Sequence, residues 1–164
     1  MTRYTMKFGG TSVGSAEAIA AVIDIVQGEL GRGNEVAVVV SAMSGITNAL
    51  LKAMKLAEAG DKAGYQAVAS DIRQKHEDAI ASLLAPNGAR AALMSEINAL
   101  LDDFIQRCDA VSVLGELTPR NMDAIVSTGE RASCRLVAAA MAPPPTGADT
   151  ILFQLEVGGL VPGW

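Results

Sequence analysis

Lys7-Phe8-Gly9-Gly10-Thr11-Ser12-Val13-Gly14-Ser15 joins a first expected strand, residues 3–8, to a first expected helix, residues 16–30. Ile19, Val22, Ile23, Val26 and Leu30 recur at the spacing of one helical face. Ser15 is placed to cap that helix, and Glu17 sits in the first turn, where the positive end of the helix dipole favours an acid. Gly31-Arg32-Gly33 ends it. Residues 36–40, Val-Ala-Val-Val-Val, form a continuous apolar run of the kind expected for a strand buried on both faces. Strand, helix and strand at this spacing make a βαβ unit, so the two strands are expected to be parallel and the class α/β.

Beyond this unit the chain turns helical. Helices are expected over residues 47–59 and 62–84, then a turn at Pro86-Asn87-Gly88. A helix near 89–108 follows, with Leu93, Ile97, Leu100, Leu101, Phe104 and Cys108 as its apolar stripe. Thr118-Pro119 predicts an N-cap with proline in the first helical position, opening a short helix to about Val126. Another helix is expected from Ser127 to Met141. Ala142-Pro143-Pro144-Pro145-Thr146-Gly147 cannot continue it. Residues 151–157 suit a strand, and 158–164 a loose tail ending in Trp164. There is no internal repeat.

The chain of 164 residues suits one domain of ordinary size, and a 50% hydrophobic, 19% charged composition argues for a folded core against disorder. With aromatics at 4%, that core is expected to be aliphatic and alanine-rich. The formal net charge of -5 and the lack of a basic run argue against nucleic-acid binding. No apolar run is long enough to span a bilayer. Met1 stands just ahead of the first strand and leaves no room for a signal peptide, so a cytoplasmic location is expected. Cys108 and Cys134, in helical patterns without CxxC spacing, are expected to be reduced core thiols. One histidine, His76, lies in the charged run Lys75-His76-Glu77-Asp78 and is expected to be a solvated helix residue. No metal-ligand cluster stands out.

The chemistry concentrates in three segments. Glycines let a backbone approach an anion and expose N–H groups to it. A helix N-terminus adds donors and a positive dipole end, and a lysine adds a mobile charge. Residues 7–15 carry all of these. The alternative is a tight turn whose glycines only permit positive φ. Lys7 weighs against that, because a lysine at the end of a strand suited to burial needs an anionic partner. The second segment, Ser41-Ala42-Met43-Ser44-Gly45-Ile46-Thr47-Asn48, follows the next strand at the same sheet edge, where ligands of parallel sheets bind. Ser41 and Thr47 are equally compatible with turn or helix-capping roles. The third is Ser127-Thr128-Gly129-Glu130. Ser127 and Glu130 have the spacing of a capping box, which would leave Glu130 bonded to backbone. Gly129, a poor helix former, suggests instead that something approaches the backbone there. Arg131 is suited to bind a carboxylate or to pair with Glu130. Together the segments suggest a site for phosphoryl transfer.

KFGGTSVGS, VVVSAMSGITNALL and STGERASCRLVAAAM, in this order and spacing, resemble the opening half of an aspartate kinase of the amino acid kinase family. The resemblance covers residues 3–141, and the Thr11-Ser12-Val13 extension separates it from other members that share the lysine-glycine start. It implies the N-terminal, helix-rich portion of a parallel-sheet αβα sandwich. It also implies transfer of the ATP γ-phosphoryl group to the side-chain carboxylate of L-aspartate, the first step of lysine, threonine and methionine biosynthesis. Carried over by position, Lys7 neutralises charge on the transferring phosphoryl, and Gly9, Gly10 and Ser41 hold phosphate oxygens. Thr47 and Glu130 contact the amino acid, Glu130 through its ammonium group. Mg²⁺, held through the nucleotide, shares the charge stabilisation, and the protein itself supplies no metal ligand. A homo-oligomer is the expected assembly.

Such kinases continue well past this length, into a nucleotide-binding region, further substrate-binding arginine and aspartate residues, and regulatory ACT domains. Residues 1–141 are therefore expected to be a partial catalytic domain, and 142–164 an atypical tail from a truncation or frame shift. Two other readings stand beside this one: another small-molecule kinase of the same family, and a non-catalytic fragment that self-associates through an exposed sheet edge.

Overall fold

The computed structural model describes residues 1–141; the tail from 142 onward, with the strand expected at 151–157, lies outside the described residues. The βαβ unit forms as the apolar pattern dictates. Strands β1 (Arg3–Phe8) and β2 (Glu35–Val40) pair in parallel, with Arg3 opposite Glu35 and Phe8 opposite Val40. Helix α1 (Ala16–Gly31) crosses between them and buries Ile19, Val22, Ile23 and Val26. The Ser15 side chain accepts from the Ala18 N–H at 3.3 Å and caps it. After Arg32 the chain leaves through Gly33 at φ +77, a left-handed conformation that costs glycine nothing.

Four helices complete the described chain: α2 (Ile46–Glu58), α3 (Lys62–Leu83), α4 (Gly88–Leu114) and α5 (Pro119–Met141). α2 packs against α3, α4 and α5, while α3 meets α4 and α4 meets α5. α1 and α5 both reach β2. The core sits in this helical layer, where Leu50, Met54, Tyr65, Leu101, Phe104, Ile125 and Leu136 are fully buried. Asp61, Asn87 and Thr118 cap α3, α4 and α5 by accepting from Gly64, Arg90 and Asn121 N–H groups. Tyr65 of α3 donates its hydroxyl to Asp109 of α4 at 2.5 Å. Burial, followed by that carboxylate, pushes the Tyr65 pKa up to about 12, so the phenol stays protonated. Cys108 and Cys134 are free thiols. Burial pushes the Cys108 thiol up to about 12 and raises that of Cys134.

Four expectations are corrected. The break at Ser127 does not occur, because α5 runs unbroken from Pro119 to Met141. The Ser127 hydroxyl turns back to the Ala124 carbonyl at 2.9 Å, satisfying itself within the helix, so no capping box forms. α4 runs past residue 108 to Leu114, since Val111 extends its buried face by another turn. β2 is only half-buried: Val36, Val38 and Val40 pack against the core together with Met6 and Phe8 of β1, but Ala37 is exposed, as are Arg3, Thr5 and Lys7 of β1. His76 is fully buried, and its Nδ1 bonds the Ile72 carbonyl at 2.8 Å.

Candidate functional site

Two loops meet at the carboxyl ends of the strands, with the middle of α5 against the second. Gly9 opens the first loop, and its carbonyl accepts from the Ser12 and Val13 N–H groups at 2.9 and 3.3 Å. That turn drops Val13, with no exposed surface, into the core and anchors the loop. The second loop begins at Ser41, whose N–H donates to the Phe8 carbonyl at 3.1 Å. The strand ladder thus carries Ser41 alongside the end of β1. Ala42 and Met43 are buried and seat this loop in turn.

The glycines matter here for closeness and not for positive φ, which neither Gly9 nor Gly10 adopts. A Cβ on Gly10 would stand 3.0 Å from the Ala42 carbonyl oxygen, and one on Gly14 would stand 2.9 Å from the Ser44 Cβ. On the other side, a Cβ on Gly129 of α5 would fall 2.8 Å from the Ala42 Cβ and 3.1 Å from Ile46 Cγ2. Ala42 is therefore wedged between the first loop and α5. What approaches the backbone at Gly129 is the second loop and the start of α2. At Gly9 the space is open, with nothing within 4 Å of a Cβ position.

The six residues singled out from sequence are distributed around this junction. Gly9, Gly10 and Ser41 lie on the two contacting loops. Thr47 is half-buried in the first turn of α2 and does not cap it, because Gly45 holds the cap position at φ 81 without a side-chain bond. Thr47 and Glu130 each lie one residue along from the Ile46–Gly129 contact, on either side of the α2–α5 seam. Glu130 Oε2 is closed off from solvent and has no hydrogen-bond partner among the described residues. Lys7 was expected near a buried strand end, held by an anion. It is instead exposed, one residue before the Phe8 carbonyl that holds Ser41, because the sheet face carrying it is uncovered among the described residues.

One residue at this junction was not legible in sequence. Lys75 of α3 donates from Nζ to the Ser44 carbonyl at 2.7 Å, across 31 positions of chain. Its own neighbourhood looks like an ordinary charged helix face, and no local pattern announces a partner so far away. Behind the first loop lies a cavity of about 460 Å³, lined among others by Gly14, Ser15, Glu17, Met43, Asp71 and Lys75. None of the six residues singled out from sequence lines it.

Comparison with known proteins gives the junction a context. The sequence profile of the amino acid kinase family matches residues 3–158. The aspartokinase of Saccharomyces cerevisiae is 36% identical over 142 residues, covering 81% of this chain and 26% of that protein. The aspartokinase of Candida albicans is 32% identical over 156 residues, covering 92% of this chain and 27% of that one. Among solved structures, aspartokinase III of E. coli in complex with lysine and aspartate (T-state) matches with a TM-score of 0.69 and 29% identity, over 85% of this chain and 28% of that chain. The same enzyme in complex with aspartate and ADP (R-state) matches with a TM-score of 0.66 and 30% identity, over 86% of this chain and 28% of that chain. The described fold is thus the helix-rich N-terminal portion of an αβα kinase domain. The chain spans about a quarter of the length of the curated relatives it matches.

Proposed function

This chain belongs to the amino acid kinase family, and from that membership we propose that it carries the phosphate-gripping and amino-acid-gripping part of an aspartate kinase. The reaction joins a side-chain carboxylate oxygen of L-aspartate to the γ-phosphorus of ATP. The bond from that phosphorus to the β,γ-bridging oxygen breaks, ADP leaves, and 4-phospho-aspartate forms. The attacking carboxylate is already ionised, so no general base is required, and catalysis reduces to positioning and charge stabilisation.

The single observation that carries this reading is the convergence of both glycine-hydroxyl loops and α5 on Ala42. In this reading the backbone donors of Gly9 and Gly10 and the hydroxyl of Ser41 serve one rim, and the open space at Gly9 leaves room for an anion. Lys7, exposed on β1 two residues before Gly9, is given the role of neutralising charge on the transferring phosphoryl. Mg²⁺, when bound with the nucleotide, would supply further neutralisation of the phosphate oxygens. Across the α2–α5 seam, the unpartnered Glu130 oxygen is suited to an ammonium group, since a buried carboxylate oxygen gains most from a cationic donor. Thr47 offers its hydroxyl beside it. ADP and aspartate in the E. coli aspartokinase III complex support the same pairing of ligands. A cytoplasmic location belongs to the same reading.

Binding is the first test. Amide NMR titration with ATP or inorganic phosphate is expected to shift Gly9, Gly10 and Ser41, and titration with L-aspartate to shift Thr47 and Glu130. Lys7→Ala should weaken phosphate binding about tenfold, the loss of one charge-assisted hydrogen bond. Glu130→Gln should weaken aspartate binding and leave phosphate binding alone. Phosphate affinity indifferent to Lys7→Ala would remove the role given to that lysine. Trapping an acyl phosphate with hydroxylamine, in the presence of ATP and aspartate, then separates aspartate kinase from another kinase of the family.

A further inference from the structure

The link between α3 and the second loop has a definite geometry. Ile46 N–H donates to the Met43 carbonyl at 3.0 Å, which closes a four-residue turn with Ser44 and Gly45 at its centre. Gly45 has φ 81 and ψ -14. Those are the angles of the third residue of a type II turn, where glycine is favoured because φ is positive. Types I and II differ by rotation of the central peptide plane. Here that plane joins the Ser44 carbonyl to the Gly45 N–H, and the Ser44 carbonyl is the group that Lys75 Nζ holds at 2.7 Å.

We propose that Lys75 is a positioning residue: by gripping the Ser44 carbonyl it fixes the central peptide of the Met43–Ile46 turn in the type II orientation and so sets the second loop against the glycine loop. Because a trans peptide points its N–H opposite to its C=O, the same grip directs the Gly45 N–H away from Lys75. Ser44 is held from a second side, where its Cβ abuts Gly14 of the first loop. The turn opens directly into α2, whose first turn carries Thr47, and it follows Ser41 by two residues. A flipped peptide would therefore disturb both ends of the loop at once. Glycine at position 45 permits either turn type, so this sequence leaves the choice to the lysine.

The effect on ligand binding rests on the kinase reading above; the effect on the turn does not. Lys75→Met keeps the aliphatic stem and removes the ammonium, and Lys75→Arg keeps a charged donor. Amide NMR of the full chain should show the Gly45 and Ile46 signals moved or doubled in Lys75→Met and restored in Lys75→Arg, with helical circular dichroism unchanged in both. Affinity for inorganic phosphate and for L-aspartate should fall about fivefold in Lys75→Met and recover in Lys75→Arg. If Lys75→Met unfolds, Lys75→Gln, with a shorter neutral donor, serves as the second variant and is expected to give the intermediate result. Gly45 signals unmoved in a folded Lys75→Met or Lys75→Gln protein overturn the proposal. Wild-type chain that binds neither ligand overturns the kinase reading, and the Gly45 signals still decide the role of Lys75.

Discussion

His76 shows at the scale of one residue how burial writes a pH dependence into the fold. Its Nδ1 faces the Ile72 carbonyl, which can only accept, so the neutral ring keeps its proton on Nδ1. Nε2 is then a buried acceptor with no partner among the described residues. Burial lowers the pKa below the ordinary 6.5; the Ile72 bond opposes the shift and the charge of Lys75 adds to it. The unfolded chain therefore takes up a proton near pH 6.5 that the folded chain still refuses. This contribution to stability is complete above that pH and is lost as the pH falls through the lowered folded value. Melting temperature measured from about pH 7 down to about pH 5 should fall more steeply in the wild type than in His76→Gln. Parallel curves would show that the ring is not refused its proton in the fold. The sequence hid this residue because its neighbours in the chain are charged. Its helical phase places it instead with Ile72 and Ile80, both buried.

At the scale of elements, α5 is where local pattern and packing disagree. Ser127-x-x-Glu130 has the spacing of a helix start, yet the same hydroxyl can bond back to a carbonyl within a running helix, as Ser127 does to Ala124. Spacing alone does not distinguish the two, and Thr118-Pro119 already supplies the true start. Gly129 is explained by a partner that sequence does not display. Ala42, Ile46 and Leu50 of the second loop and α2 press against its Cα, so α5 and α2 meet along a seam only a glycine allows. Gly129→Ala isolates that claim. In a solvated helix the change would stabilise by up to about 1 kcal/mol. Here the new methyl meets a Cβ at 2.8 Å, too close to absorb without a backbone shift, and a cost of about 1–3 kcal/mol is expected. Urea unfolding measures it, and a variant more stable than the wild type would show that the seam is looser than described. The βαβ unit, by contrast, was legible from residues 3–40 because every signal there is local: an apolar period, a serine cap, a glycine exit and a valine run.

The whole molecule distributes its stability unevenly. Most of the fully buried side chains lie on α1 to α5, whereas β1 and β2 form, among the described residues, a two-stranded sheet with one face exposed and an unpaired edge on each strand. A sheet of two strands is marginal by itself and depends on what packs over it. The valine run of β2 signals burial on both faces, and the described chain covers only the face bearing Val36, Val38 and Val40. That mismatch leaves the open face and edges, among the described residues, free to pair with further sheet, and self-association of this chain is one way of covering them that can be measured. Native-state hydrogen exchange tests both statements together. In dilute solution, amides of β1 and β2 should exchange much faster than those of Leu50, Leu101 and Leu136, since local opening of the sheet uncovers little apolar surface. As concentration rises, protection should grow in the two strands and stay constant in the helices, in step with a larger mass by light scattering. Strand amides as slow as helix amides in the dilute monomer would mean that the sheet is stable with its outer face bare. The rim proposed to grip phosphate would then be rigid without a partner, because Gly9 follows β1 directly and Ser41 follows β2.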